Sequence, residues 1–184
     1  MINFCRNIFL ITIFFFSVSF SQVKLEGFCA GLGTGMIKGN FPAVFTYSFN
    51  IGIDTKLFSV EDPSFRLNFL FTRDFSSVLP GERANRYYAY LQGISLSAVR
   101  TIHFYKKAYV EESAGIVVLN DRTFSDIDLM SYGAVVSLGV KIPLFDPAQQ
   151  TSGFLFGLEA SYGITFTNNT PQYFTFSLIG RYQL

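Results

Sequence analysis

Large hydrophobic residues and small or polar residues alternate along the stretch from Phe154 to Phe166. One side of this alternation is large and apolar, and the other is mostly Gly, Ser and Thr with one carboxylate, Glu159. Successive side chains of a strand point to opposite faces, so a period of two predicts a β-strand. The stretch is thirteen residues long, whereas soluble strands average about 5–6 residues and bilayer-crossing strands need about 9–11. We interpret it as barrel wall, with lipid on its apolar side and a narrow polar lumen on the other.

Seven further segments alternate in the same way, and turn-rich pieces separate them. The predicted strands lie at about 23–33, 44–57, 65–72, 87–105, 108–119, 131–144, 154–166 and 173–184. The first strand needs a β-bulge near Gly27 to bring its two parities into one register. In the fifth, Glu111 and Glu112 fall on opposite faces, so we expect one of them at a bulge or near a membrane interface.

The number of predicted strands is even, which lets the sheet close with both chain ends on one side. Closure also removes the strand edges that lipid does not tolerate. No segment shows a convincing helical period. The predicted fold class is therefore all-β: a closed, antiparallel, eight-stranded transmembrane β-barrel.

The N-terminus has the pattern of a cleavable signal peptide. Arg6 supplies the positive charge, residues 8–16 form an apolar stretch, and Ser19 and Ser21 place small residues before a cleavage site at Gln22. The apolar stretch is shorter than the ~20 residues that a spanning helix needs. We expect residues 1–21 to be a signal peptide and residues 22–184 to form the barrel domain.

Composition agrees with one exported domain. The chain has 184 residues, a formal net charge of +1 and 49% hydrophobic residues, so it carries no strong indication of nucleic-acid binding. Cleavage would leave Cys29 as the single cysteine, which excludes an intramolecular disulfide. We interpret Cys29 as a small residue of the barrel wall.

The signal peptide, the eight amphipathic strands and the C-terminal pattern Tyr182-Gln183-Leu184 together resemble the small outer-membrane β-barrels of the OmpA membrane domain and OmpX type. This resemblance implies insertion by the barrel-assembly machinery, with Tyr182 and Leu184 in the recognition signal, although most members end in Phe. It also implies a periplasmic N-terminus. The outer loops would then be short, at about 34–43, 73–86, 120–130 and 167–172.

Charges of both signs fall on the inward parity of the predicted strands. They are Asp54, Lys56, Arg66, Lys141, Glu159 and Arg181, with Lys24 and Glu26 added if the first strand keeps its early register. The interior of an eight-stranded barrel is wide enough only for side chains, and an isolated buried charge is costly. We predict a structural plug of ion pairs, and the alternative is a gated ion path.

Candidate catalytic and cofactor patterns are weak. His103 is the single histidine, and a hydrolase resembling the lipid A deacylases would need it beside a serine such as Ser95 or Ser97 and a carboxylate such as Glu159. The deacylase-like His-x-Ser pattern is missing. The glycines of Gly31–Gly35 lack the following helix that a phosphate-binding loop requires. We expect no catalytic set, no cofactor and no metal.

Three arginines, Arg73, Arg83 and Arg86, cluster in and beside the second predicted outer loop. Lipopolysaccharide phosphates would attract them, and an ordinary charged loop explains them equally well.

Three functions remain open at this point. The first is a non-enzymatic structural or interaction protein of the outer membrane, with a subunit of a secretion or barrel-assembly complex as one version. The second is a lipid-modifying outer-membrane enzyme that uses His103. The third is a secreted carrier of lipocalin type, in which the apolar residues would point inward.

Overall fold

The computed structural model describes residues 23–39, 42–57, 63–78, 88–105, 108–122, 128–144, 153–167 and 170–184. The elements are β1 (Val23–Lys38), β2 (Val44–Leu57), β3 (Ser64–Asp74), a 3-10 turn (Phe75–Val78), β4 (Tyr90–Tyr105), β5 (Ala108–Arg122), β6 (Leu129–Pro143), β7 (Gly153–Thr165) and β8 (Gln172–Gln183). Among these residues, no helix is long and apolar enough to cross a membrane. The predicted signal peptide, residues 1–21, lies outside the described residues.

Each strand pairs antiparallel with its neighbours in sequence, and β8 pairs with β1 to close the barrel. This confirms the predicted closed, antiparallel, eight-stranded fold. The start of β1, the end of β8 and the strand ends that the β2–β3, β4–β5 and β6–β7 connections join lie at one end, which we call the terminal end. The other four connections lie at the opposite end, which we call the loop end.

The strands are strongly tilted. Following register partners once around the barrel from Arg100 on β4 returns to β4 at Tyr90, ten residues away. In a closed barrel, a stagger between strands requires that the strands tilt relative to the barrel axis, typically by about 35–45°. Tilted strands of 11–16 residues are long enough to cross a bilayer.

The apolar side of each strand points outward. Phe156, Leu158 and Phe174 are 36%, 46% and 46% exposed, whereas Glu159 and Arg181 are 7% and 3% exposed. The carrier hypothesis is therefore wrong, because a lipocalin-type barrel would place the large apolar side chains inside. An outer surface of Phe, Leu, Ile and Val is stable only where hydrocarbon covers it.

Several boundaries differ from the sequence prediction. The bulge near Gly27 is confirmed by a register shift between Leu25 and Gly27. However, β1 continues to Lys38 and β5 to Arg122, so the predicted loops at 34–43 and 120–130 are partly strand. Gly31, Gly33 and Gly35 obscured the alternation in this part of β1. A glycine has no side chain, so it marks neither the apolar nor the polar face of a strand.

The expected bulge at Glu111 or Glu112 is absent, and the alternative, an interface position for one of them, stays a prediction. Pairing of β5 continues through both residues without a register shift, with Glu111 buried in the lumen and Glu112 exposed on the outer wall.

Gly35 marks a close approach of β1 to β8. A Cβ atom at Gly35 would lie 2.0 Å from the carbonyl oxygen of Phe174 and 3.0 Å from the Cα of Thr175. Any side chain there would force the two backbones apart, because contacts this short are not tolerated. At Gly153, by contrast, a Cβ would meet nothing within 4 Å.

We predict that Gly35→Ala lowers the free energy of unfolding by about 1–3 kcal/mol, since overpacking costs that much in well-packed structures. The measurement is urea unfolding of the refolded barrel in lipid vesicles, followed by far-UV circular dichroism. Gly153→Ala is the matched control and should unfold at the wild-type urea concentration. Equal midpoints for Gly35→Ala and Gly153→Ala would contradict the close approach.

Candidate functional site

Eight charged side chains fill the terminal half of the lumen, and we call them the ion cluster. They comprise four carboxylates and four cations, namely Glu26, Asp54, Glu111, Glu159, Lys56, Arg66, Lys141 and Arg181. They come from seven of the eight strands. The formal charges of the cluster therefore cancel, as expected where burial makes an unpaired charge costly.

Arg66 on β3 lies in the middle of the cluster. It binds Asp54 with two hydrogen bonds, 2.6 Å from Nε to Oδ1 and 3.0 Å from Nη2 to Oδ2. Its Nη1 donates to Glu159 Oε2 at 3.3 Å. The planar guanidinium suits this arrangement because it presents several donors in fixed directions.

Glu111 accepts from three cations. Arg66 Nη2 donates to its Oε2 at 3.0 Å, Arg181 Nη1 donates to its Oε1 at 2.6 Å, and Lys141 also binds Oε2. These cations belong to β3, β8 and β6, while Glu111 belongs to β5. One carboxylate therefore connects opposite walls of the barrel.

Sequence reasoning missed Glu111 because both faces of β5 mix polar and apolar residues. Charge balance could have found it. The six lumen residues expected from strand parity hold two carboxylates and four cations, which leaves two cations unmatched. The structure supplies the missing carboxylates from Glu111 and Glu26.

The cluster ends at a polar rim. Lys56 Nζ lies 2.7 Å from Glu26 Oε1, and Arg181 Nη2 lies 3.6 Å from Glu26 Oε2. Arg181 Nε is also 2.7 Å from Asp54 Oδ2, which joins this rim to the centre. Lys24 lies beside Lys56 in register and is exposed.

The loop half of the lumen contains both polar and apolar side chains, and Thr46, Thr72 and Thr165 are among the buried polar ones. Eight buried hydrophobic residues pack together there, and we call them the apolar plug: Ile37, Leu70, Ala89, Leu91, Val117, Leu119, Val135 and Tyr173. The sequence analysis predicted the polar residues of the lumen but not this apolar cluster among them. Strands such as β5 carry hydrophobic residues on both faces near the loop end, and the alternation does not tell which face points inward.

A vestibule of about 660 Å³ opens at the terminal end. His103 lies on its wall, with its ring 4.7 Å from the ring of Tyr109. Ser95, Ser97 and Glu159 instead line a separate void of about 20 Å³, on the other side of the ion cluster. The structure therefore does not bring His103 together with Ser95, Ser97 or Glu159, and the serine that shares the vestibule with His103 is Ser64.

The loop end carries Arg73 among aromatic rings on the outer wall. The Arg73 guanidinium lies 5.7 Å from the centre of the Tyr88 ring. Tyr47, Phe71 and Phe75 surround this part of the wall, with ring centres 6.4 and 6.5 Å apart for the two pairs that Tyr47 forms. Arg83 and Arg86 lie outside the described residues.

The C-terminal strand completes the wall beside β1. Tyr182 is the register partner of Phe28, and the backbone N–H of Leu184 donates to the Glu26 carbonyl at 2.9 Å. Both Tyr182 and Leu184 are exposed on the outer surface. Among the described residues, no cluster of three or more His, Cys, Asp or Glu side chains could hold a metal ion.

An outward apolar wall around a lumen filled by ion pairs and apolar side chains defines a transmembrane β-barrel. Similar solved structures are small outer-membrane barrels. Neisserial surface protein A matches with a TM-score of 0.60 and 14% identity, over 88% of this chain and 99% of that one. Ail, the attachment invasion locus protein of Yersinia pestis, in complex with the heparin analogue sucrose octasulfate, matches with a TM-score of 0.53 and 14% identity.

The Ail match covers 87% of this chain and 98% of that one. No protein-family model matches the chain, and no curated protein matches it. At this identity the likeness concerns the fold, and it confirms the architecture that the resemblance to OmpA and OmpX implied.

We predict that Glu111→Gln lowers the free energy of unfolding by about 3–5 kcal/mol, because three buried cations would lose their shared carboxylate. Urea unfolding in lipid vesicles measures this change. Glu112→Gln is the matched control, since Glu112 is the next residue but makes no contact with the cluster. Replacing Glu111 and Lys141 together by Leu and Met should recover part of the loss. Wild-type stability of Glu111→Gln would contradict the central role of Glu111.

Proposed function

We propose that this protein is an outer-membrane β-barrel without enzyme activity that acts as a structural or interaction subunit of the cell envelope. The observation that carries the proposal is the filled lumen. The ion cluster occupies its terminal half, and the apolar plug occupies its loop half. Two successive layers of packed side chains favour a structural plug over a gated ion path.

The location follows from the outer wall and from the predicted signal peptide. A wall of exposed Phe, Leu, Ile and Val needs a hydrocarbon environment, and closed barrels are the β-structures that satisfy their backbone there. An exported chain with this wall belongs in the outer membrane. Insertion would use the barrel-assembly machinery, which would recognise the C-terminal strand through Tyr182 and Leu184.

Contacts with lipopolysaccharide would come from the loop end. Arg73 lies on the outer wall there, beside aromatic rings of the kind that favour the membrane interface. A guanidinium at this level is suited to a lipid phosphate. This supports the lipopolysaccharide hypothesis for Arg73 in particular.

A protein partner would dock at one end of the barrel. To test this, Cys29→Ala provides a cysteine-free mature chain in which single cysteines replace Lys24 at the terminal end or Lys38 at the loop end. Cells carrying each variant are treated with a bifunctional thiol crosslinker, and adducts are identified by mass spectrometry. We expect a defined protein adduct from one of the two ends.

Leu32→Cys in the same background is the control, because Leu32 is 66% exposed on the lipid-facing wall. It should give no protein adduct. If Lys24→Cys and Lys38→Cys both yield only the uncrosslinked chain, the interaction-subunit version is wrong.

The enzyme hypothesis has a direct test, because any His-dependent activity must use His103. We predict that deletion of the gene leaves the outer-membrane lipids unchanged in a lipid mass spectrum, and that His103→Ala leaves them unchanged too. If deletion and His103→Ala produce the same lipid change, the protein is an enzyme and the proposal is wrong.

A further inference from the structure

Two opposite charges, Arg100 and Glu112, lie on the lipid-facing wall. They are register partners on β4 and β5, and both side chains are exposed on the outward face. Apolar or small residues of the same face flank them towards both ends of the strands: Leu96, Ala98, Ile102, Val110, Ala114 and Ile116. The pair therefore has apolar neighbours along both strands, and Arg100 also borders the vestibule at the terminal end.

Charges in this position need a partner. Arg100 lies five residues before the end of β4 at Tyr105, which corresponds to ~12 Å along the axis of a tilted barrel. Ionisable residues within a membrane are costly, and those that persist have a functional partner. In the part of the chain that the structure describes, neither side chain forms an ion pair or a hydrogen bond.

A groove of about 580 Å³ begins at this pair and crosses the outer wall from β4 to β8. The groove is a depression in the outer wall because three of the strands carry the small residue alanine there, at Ala98, Ala114 and Ala160. The larger side chains along it are Val136, Leu138, Tyr162 and Phe174. Four strand spacings make the groove ~19 Å long. It is therefore long, narrow and apolar, with both charges at one end.

We propose that this groove binds one phospholipid whose headgroup carries a phosphate and a primary ammonium group, as in phosphatidylethanolamine. Arg100 donates to the phosphate, Glu112 accepts from the ammonium group, and an acyl chain lies over the three alanines. The strands that carry the two charges are about 4.8 Å apart. A headgroup whose opposite charges are joined by a short ethylene linker can contact both.

The headgroup follows from the chemistry of the two residues. A guanidinium binds phosphate through paired charge-assisted hydrogen bonds. A carboxylate beside it repels a headgroup with only negative charge and attracts one that ends in a cation. A primary ammonium group also offers N–H donors to Glu112, whereas a choline group has none.

The shape favours a lipid chain over a second copy of this protein. Two copies facing each other could exchange Arg100–Glu112 contacts, but each would also bring its own groove to the interface. The two grooves would enclose empty space, and such unfilled space forfeits the packing that stabilises an interface. A flexible acyl chain fills a groove of this form.

The test uses the purified full-length barrel in a mild detergent. Native mass spectrometry measures lipid binding during titration with phosphatidylethanolamine, phosphatidylcholine and phosphatidylglycerol of identical acyl chains. For the wild type we expect one site that prefers phosphatidylethanolamine by about tenfold. Arg100→Gln should weaken the binding of all three lipids. Glu112→Gln should abolish the preference for phosphatidylethanolamine over phosphatidylcholine.

Ala114→Leu tests the groove, since it fills the floor and leaves both charges in place. It should weaken all three lipids to a similar degree. Ala30→Leu on the outward face of β1 is the matched control, and it should bind lipid as the wild type does. Heat-dependent gel mobility confirms that each variant is folded before the titration.

Equal binding of the three lipids by the wild type, or unchanged binding by Arg100→Gln, Glu112→Gln and Ala114→Leu, would overturn the proposal. A dimer in the native spectrum that disappears in Ala114→Leu would assign the groove to a second copy instead. The inference rests on the proposed membrane location. That location fails separately, if the mature protein stays soluble without detergent.

Discussion

Charge pairing between buried side chains cross-links the terminal half of this barrel. Glu111 receives contacts from Arg66, Lys141 and Arg181, so a single carboxylate on β5 links β3, β6 and β8 across the interior. Hydrogen bonds along the wall connect each strand only to its two neighbours. The ion cluster adds the cross-links between strands that are not neighbours, and it does so because no carboxylate or cation there can be left alone.

Because side chains fill the middle of the lumen, the surfaces open to a ligand or partner are the two ends of the barrel and its outer wall. The apolar plug and the ion cluster leave a vestibule at the terminal end, an aromatic loop end with Arg73, and the lipid-facing wall. Each surface has a different chemistry, and the proposed lipid and protein contacts would use different surfaces. His103 lies in a different cavity from Ser95 and Ser97, the serines that the sequence suggested as its partners.

Adjacent residues in this fold have opposite environments, and Glu111 and Glu112 illustrate the consequence. Glu111 is buried among cations, whereas Glu112 faces the membrane opposite Arg100. The same carboxylate is therefore an internal cross-link at one position and a candidate lipid contact at the next. The direction of each side chain, into the lumen or out towards lipid, decides which groups it can contact. Two neighbouring carboxylates on one strand therefore have different partners.

The alternation of residues was sufficient to predict the number of strands, their antiparallel closure, the outward apolar face and the bulge near Gly27, because a period of two reports directly on which residues share a face. It could not locate Glu111, the apolar plug or the groove beside Arg100. Those features depend on stagger, which brings residues far apart in sequence to one level of the barrel, and on strands whose two faces are similar in polarity. Stagger and inward direction are properties of the closed sheet, so only the tertiary structure decided them.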